Sequence, residues 1–521
     1  MLRIRNIRRK PSESMEIYEK EIGKILRLGK EDFTWELHQE SLDARKKHDV
    51  HYMGQLNVWP KKEISKKFIE KKKNIDFAKE VHYEFLKSEK EIRPIIVGSG
   101  PCGLFAAYVL AKSGLKPILL ERGEKVEDRI HSVENFWDTG TLNPKSNVQF
   151  GEGGAGTFSD GKLTSRSKDP KGKLVLDTFV EMGAPKEILY MKKPHIGTDR
   201  LRKVLISFRK ELLAMGAEIH FQEQVLLIEK REEKYQVKTE KGEYESEALV
   251  LALGHSARDT FEMLFEKKLA MESKPFAVGF RIEQNQEAVN LQQYGEIFKD
   301  QLPPAEYALT YQAGDFGCYT FCMCPGGYVV AAASEEGRLV VNGMSYYKRD
   351  GNNANAAILA TVDEKIFGKG ALAGMEFQRE MEEKAFVLGG SNYKAPAQRV
   401  GDYLAKKRSQ GEGKVLPTYE PGVSYTDLNG LYPEVVNQAI HKALMGMEKK
   451  MKGFAGEDSL LTGVETRSSS PVRLIRDKET LESISHENIY PAGEGAGYAG
   501  GIVSSAIDGI RVAEKIIEKW R

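Results

Sequence analysis

Residues 95–123 read "IIVGSGPCGLFAAYVLAKSGLKPILLERG". A three-residue apolar run, Ile95 to Val97, meets a glycine cluster and then a long apolar stretch with no breaker until Gly114. A second apolar run, "PILLE", follows. This is the pattern of a buried strand, a tight turn, a helix and a second buried parallel strand. Gly98, Gly100 and Gly103 fit the G-x-G-x-x-G spacing. The first glycine permits the tight turn, the second lets a diphosphate approach the backbone at the helix N-terminus, and the third lets helix and strand pack closely. An acid on the second strand should take the ribose hydroxyls, and Glu121 stands 18 positions beyond Gly103. The stretch therefore predicts a dinucleotide-binding α/β domain.

Three distant segments separate a flavin dinucleotide from a nicotinamide one. "QFGEGGAGTFSDGKL" (149–163) is too rich in glycine for a core and offers backbone N–H groups to a diphosphate and a flavin. "SEALVLALGHSARD" (246–259) is a buried strand ending at Gly254. "NIYPAGEGAGYAGGIVSSAIDGIRVAEKI" (488–516) reads as strand, glycine loop and helix. Its Glu494 is placed for a ribityl chain. The helix that starts near Gly501 would aim its positive end at the pyrimidine side of a reduced flavin.

The chain of 521 residues is too long for one ordinary core, and 40% hydrophobic with 30% charged residues describes a globular protein. A net charge of +2 supplies no field for nucleic acid or membrane, and no apolar run is long enough to span a bilayer. Four cysteines make no disulfide framework, and the first twenty residues contain no secretory apolar segment. Together these predict a cytoplasmic protein. Four segments are expected: a small α+β unit (1–90), the first part of the dinucleotide domain (91–270), an inserted mixed sheet that covers the cofactor (271–485), and the returning C-terminal part (486–521). Residues 1–90 hold 22 Lys+Arg against 16 Asp+Glu, an excess concentrated in "KKEISKKFIEKKK". That run reads as a solvated helix face or as a grip for an acidic partner. The helix in "SMEIYEKEIGKILRLG" is expected to end at Gly29.

"GCYTFCMCPGG" (317–327) packs three cysteines into seven positions. On a regular strand Cys318, Thr320, Cys322 and Cys324 share one face. Cys318 and Cys324 are then roughly 20 Å apart, too far for zinc–sulfur bonds of about 2.3 Å. The i, i+2 pair sits at about 6.6 Å between Cα atoms, at the edge of disulfide geometry. We expect no metal site here. A buried strand, a pocket-lining thiol and a disulfide stay open as readings.

Other polar candidates are Arg467 and Arg473 in "ETRSSSPVRLIRD", which could hold a substrate carboxylate or offset charge on a reduced flavin. Asp160 and Lys162 lie in the second glycine loop, and His195 could transfer protons. Thr198 or Asp199 should cap a following helix. Arg349 and Asn355 are further pocket candidates, and His255 is read as a loop-positioning residue.

Taken in order, GSGPCG, GEGGAGTFSDGKL, LALGHSARD, FCMCPGG, ETRSSSPVR and AGEGAGYAGGI resemble the FAD-dependent dehydrogenase (NAD(P)/FAD-dependent oxidoreductase) family. The likeness runs from about residue 90 to the C-terminus. It implies the glutathione-reductase-like FAD-binding fold and a cofactor set drawn from each motif. Gly98, Gly100, Pro101, Gly103, Glu121 and Arg122 come from the first motif, and Gly153, Gly154, Ala155 and Gly156 from the second. Val225, Gly254, Gly493, Glu494, Gly500, Gly501 and Ile502 complete the set. The implied activity is an oxidoreductase without a settled substrate. Our own reading of the chain is an FAD-dependent oxidoreductase that moves a hydride between flavin N5 and a small organic substrate, with NAD(P)H or a protein as the candidate electron donor. The alternative is an RNA-associated flavoprotein, as among tRNA-modifying members of the superfamily. That reading needs a basic face joining residues 61–73 to the pocket mouth.

Overall fold

The computed structural model describes residues 1–80, 82–164 and 169–521. Its centre is a five-stranded parallel sheet in the order Ile489–Pro491, Leu249–Leu251, Ile95–Val97, Ile118–Leu120, Glu218–His220. The second and last of the four segments interleave in this sheet, because the strand at Ile489–Pro491 pairs beside Leu249–Leu251. All three residues of the central strand are buried, which explains their unbroken apolar run.

Helix Pro101–Lys112 leaves the central strand with Pro101 at its first position. It packs against the C-terminal helix Ile502–Lys519, buried along one broad apolar face. The two backbones nearly touch: a methyl group on Gly509 would stand 2.1 Å from the Cys102 carbonyl oxygen. Cys102 is thus a packing residue between these helices.

The inserted segment forms a seven-stranded mixed sheet. Its core is Phe276–Asn285 between Asn353–Val362 and Leu460–Glu465, with Phe316–Cys324 outside Asn353–Val362. Helices Ala373–Leu388 and Glu434–Lys450 pack on it and bury Met381, Ala385, Ile440 and Leu444 in one apolar core with Val278 and Ile358.

The N-terminal unit is a four-stranded sheet with helix Glu16–Leu26 across it. This helix stops before Gly29, because Arg27 adopts the left-handed conformation (φ +58°) and its N–H returns to the Gly23 carbonyl. The unit is not a remote appendage. The backbone N–H of Glu40 donates to the Tyr190 carbonyl at 2.7 Å and its backbone carbonyl accepts from Lys192 N at 2.8 Å, so an edge of the sheet is stitched to the loop before His195.

Candidate functional site

Gly98 ends the central strand at φ +105°, and its N–H donates to the Leu120 carbonyl at 2.8 Å. A methyl group on Gly103 would meet the Gly98 oxygen at 1.9 Å, so this glycine seals helix against turn. Gly100 is different. A methyl there would find only the Gly154 Cα, 3.9 Å away, and Gly154 itself faces Gly100 at φ +64°. Two bare backbones line a cradle at the N-terminus of helix Pro101–Lys112, where N–H groups and the helix dipole favour an anion.

Glu121 organises this cradle. Its Oε2 accepts from Ser99 N (2.9 Å) and Ser99 Oγ (2.8 Å), and its Oε1 from Gly123 N (2.9 Å) and Gly151 N (3.0 Å). One buried carboxylate ties the first glycine turn to the second glycine loop.

A cavity of about 2820 Å³ opens from the cradle. Gly98, Gly100, Pro101, Glu121, Arg122, Gly154, Ala155, Gly156, Val225, Gly254, Glu494, Gly500, Gly501 and Ile502 line it. Gly103, Gly153 and Gly493 stand behind the wall. Gly153 closes on Leu205 and Thr157, and Gly493 packs on Cys102 while its N–H donates to Asp508 at 2.7 Å. Arg122 reaches the cavity, but its guanidinium is held by Asp259 at 2.8 Å and Thr260 at 2.8 Å. Leu37 and His38 of the N-terminal unit form part of the mouth, whereas no residue of 61–73 lines it.

At the far wall, Asp160 is fully buried. Its Oδ1 accepts from Arg349 Nε at 3.0 Å, and Lys162 Nζ lies 3.0 Å from its Oδ2. Burial alone would raise this carboxyl, but Lys162 and Arg349 outweigh burial and hold it below the ordinary carboxylate value. Burial pulls the Lys162 ammonium down, and Asp160 with the neighbouring thiols reverses that, so Lys162 stays charged. Its Nζ also donates to the Met323 carbonyl. Asp160, Lys162 and Arg349 all face the cavity.

His195 does not line the cavity. Its Nε2 is 3.0 Å from the Tyr347 carbonyl, its ring stacks on Tyr347 at 5.4 Å, and its Nδ1 is buried without a partner. Burial and Arg349 lower its pKa, so the ring is a neutral wedge behind Lys162. The helix that follows is capped neither by Thr198 nor by Asp199. Gly197 is the cap (φ +77°), because Tyr347 N lies where a side chain would stand, and Asp199 accepts from that N–H at 2.8 Å.

Arg467 and Arg473 part company. Arg467 lines the cavity and is buried. It grips Glu382 through Nε (3.0 Å) and Nη2 (2.7 Å), and its Nη1 reaches Ser256 Oγ at 3.1 Å and Ser334 Oγ at 2.5 Å. Glu382 is shared with the buried Arg258 at 2.7 Å. Burial opposes ionisation of Glu382, but the two arginines outweigh it and hold the carboxylate well below its usual range. Arg473 sits on strand Val472–Leu474, outside the cavity, paired loosely with Glu272 at 3.4 Å. Burial and the charges of Arg467 and Arg258 push His255 down to about 3, so this cavity residue is neutral. Its Nε2 stands 4.0 Å from Glu494.

The cysteines do not share one face. A register shift separates Phe321 from Cys324 in the pairing with Asn353–Val362, and Cys322 sits at φ +41° inside this bulge. The bulge breaks the alternation and turns Cys322 into the cavity beside Lys162, while Cys324 is fully buried beneath it. Arg281 supports the bulge from below: its Nη2 donates to the Cys322 carbonyl at 2.9 Å and to Asn355 Oδ1 at 2.6 Å. Asn355 is thus a support beneath the pocket, not a wall of it. The visible signal for this layer was a lone arginine in the apolar strand "FAVGFRIE". Among the described residues, no group of three or more His, Cys, Asp or Glu side chains is gathered to hold a metal ion. No helix among them is long and apolar enough to cross a membrane.

The family of FAD-dependent protein, C-terminal domain-like, matches residues 275–468, and the NAD(P)-binding Rossmann-like domain matches residues 96–146. An uncharacterized protein of Clostridium beijerinckii is 48% identical over 528 residues, covering 100% of this chain and 99% of that one. Among solved structures, halogenase PltM is 12% identical, covers 82% of this chain and 70% of its own, and has a TM-score of 0.38. CtdE in complex with FAD is 12% identical, covers 82% of this chain and 84% of its own, and has a TM-score of 0.31.

Proposed function

This chain belongs to one family with the 48%-identical protein of Clostridium beijerinckii and carries the FAD-dependent protein, C-terminal domain-like segment, and we propose that it is an oxidoreductase that transfers a hydride between N5 of the flavin and a small organic substrate. The observation that carries this reading is the continuity of one cavity from the Gly100–Gly154 cradle to the Asp160–Lys162–Arg349 cluster. Ordinary ligand pockets measure about 300–1,000 Å³. At about 2820 Å³ this one has room for a dinucleotide and a substrate together.

The residues present fit FAD. Gly98, Gly100 and Pro101 would hold the diphosphate at the first helix N-terminus, with Gly154, Ala155 and Gly156 on its other side. Glu121 would meet the ribose while bracing both glycine loops. Glu494 would serve the ribityl chain. Gly500, Gly501 and Ile502 would present the positive end of the C-terminal helix to the pyrimidine edge. FAD supplies, when bound, a two-electron hydride acceptor and donor. Lys162, fixed as an ammonium by Asp160, and Arg467 place positive charge in the cavity wall, where charge aimed at a developing anion lowers a barrier most. Leu37 and His38 narrow the mouth and limit water.

The test is direct. The purified protein is expected to be yellow, and its absorbance is expected to bleach anaerobically with at least one member of a panel of small organic donors, or with NADH or NADPH. A colourless protein that takes up no FAD defeats the cofactor assignment. A yellow protein that no donor bleaches defeats the oxidoreductase assignment.

A further inference from the structure

Cys322 and Cys324 differ in the way that attacking and resolving thiols differ. Cys322 is partly exposed and opens onto the cavity, whereas Cys324 is fully buried behind it. The Cys324 thiol points at its neighbour, donating to the Cys322 carbonyl at 3.2 Å. Arg281 Nη2 lies 3.6 Å from Cys324 Sγ, and the Lys162 ammonium stands over the same bulge. Asp160 and Glu465 are acidic groups close to this cluster, and Glu494 faces it across the cavity.

The geometric objection to a bond between the two sulfurs is an extended-strand spacing, and the bulge departs from that spacing at Cys322. A non-glycine residue at φ +41° is strained, and such strain persists where the surroundings impose it, often at functional sites. Cys318 shows the inert contrast. It lies in the regular part of the strand, 2% exposed, with its thiol against the Ala439 carbonyl at 3.8 Å, and burial pushes it up to about 11.

Resting on the flavin reading above, we propose that Cys322 and Cys324 form a redox-active dithiol that exchanges an electron pair with the bound FAD. In the forward sense the Cys322 thiolate and the Cys324 thiol join through a new S–S bond. The Cys324 S–H bond breaks, and the pair loses one proton and two electrons. Oxidised FAD gains both and becomes FADH⁻, so atoms and charge balance. The electrostatics agree: a hydrogen bond from Cys324, then the Lys162 and Arg281 charges, lower the Cys322 pKa despite burial, while that of Cys324 is raised. Cys322 and Glu494 line the same cavity, so the thiol and the flavin loop open onto one space.

The experiment is an anaerobic dithionite titration of the FAD-loaded protein, with acid quenching, alkylation and peptide mass measurement at each step. The oxidised wild type should consume four electrons per chain, two for the flavin and two for the pair. Its peptide spanning residues 322–324 should accept two alkyl groups only after reduction. Cys322→Ser and Cys324→Ser should each consume two electrons, and Cys318→Ala should still consume four. A yellow wild-type protein that consumes two electrons, with both thiols alkylated while oxidised, overturns the pair and leaves the flavin reading standing. Oxidation that stops at Cys322 alone overturns it equally. A colourless protein defeats the flavin reading instead. If either serine variant fails to fold, the wild-type titration and its alkylation pattern decide.

Discussion

Gly100 and Gly154 face each other as bare backbone: a methyl group on Gly100 would rest 3.9 Å from the Gly154 Cα, an ordinary contact. The space is open to the protein, and under the proposed function it is the space that the diphosphate fills. Gly100→Ala should therefore fold normally yet bind FAD at least about tenfold more weakly, about 1.4 kcal/mol. Gly103→Ala should do the reverse, because its methyl would stand 1.9 Å from the Gly98 oxygen. Overpacking of that kind costs about 1–3 kcal/mol. Thermal melts and FAD titration separate the two. Equal effects of both substitutions would show that Gly100 has no cofactor to accommodate.

Glu121 accepts four hydrogen bonds from Ser99, Gly123 and Gly151. Glu121→Ala leaves those donors unpaired and unties the two glycine loops. FAD affinity should fall by about 1.5–3 kcal/mol, the scale of bonds to a charged group. Fluorescence titration with FAD checks this, and an unchanged affinity would reduce Glu121 to a packing residue.

The sequence made the first turn legible because each glycine there answers a separate backbone demand. It could not reveal the Glu382 cluster, whose arginines lie 124 and 85 positions away in the chain. Nor could it reveal the bulge at Cys322. Strand periodicity assumes regular pairing, and the shift depends on Arg281 reaching up from a neighbouring strand. The placement of the N-terminal unit at the cavity mouth hangs on backbone bonds between Glu40 and residues 190–192, which no side-chain pattern announces.

Arg467 and Arg473 looked equivalent in sequence and now make a paired test. Removing Arg467 leaves Glu382 with Arg258 and removes a positive charge from the cavity wall. A reduced anionic flavin loses stabilisation, so the midpoint potential of Arg467→Ala should drop. A shift of about 30 mV corresponds to about 1.4 kcal/mol for a two-electron couple. Arg473→Ala, on the outer ribbon with Glu272, should leave the potential unchanged. Spectroelectrochemistry decides, and an equal shift in both variants would remove any specific role for Arg467.

The flavin-free protein carries a pH signature in Glu494. Burial raises this carboxyl from an ordinary value of 4.5 to about 7, Lys274 opposes the shift and the Cys322 charge adds to it. Between those values the folded state keeps a proton that the unfolded state has released. Stability therefore falls as pH rises across this window, since stability tracks the excess of protons bound by the unfolded chain. Glu152 and Glu465 are likewise raised to about 7 and act in the same direction. His38 and His255, lowered by burial to about 4 and about 3, act in the opposite direction over the same window, so the Glu494 contribution is read as a difference between two flavin-free proteins. Glu494→Gln should lose less stability, or gain more, than the wild type between pH 4.5 and pH 7. The comparison requires melts of both proteins at matched ionic strength across the window. If the variant and the wild type respond to pH in parallel, Glu494 is ionised throughout, and under the proposed function its carboxylate rather than its carboxylic acid would meet the ribityl chain.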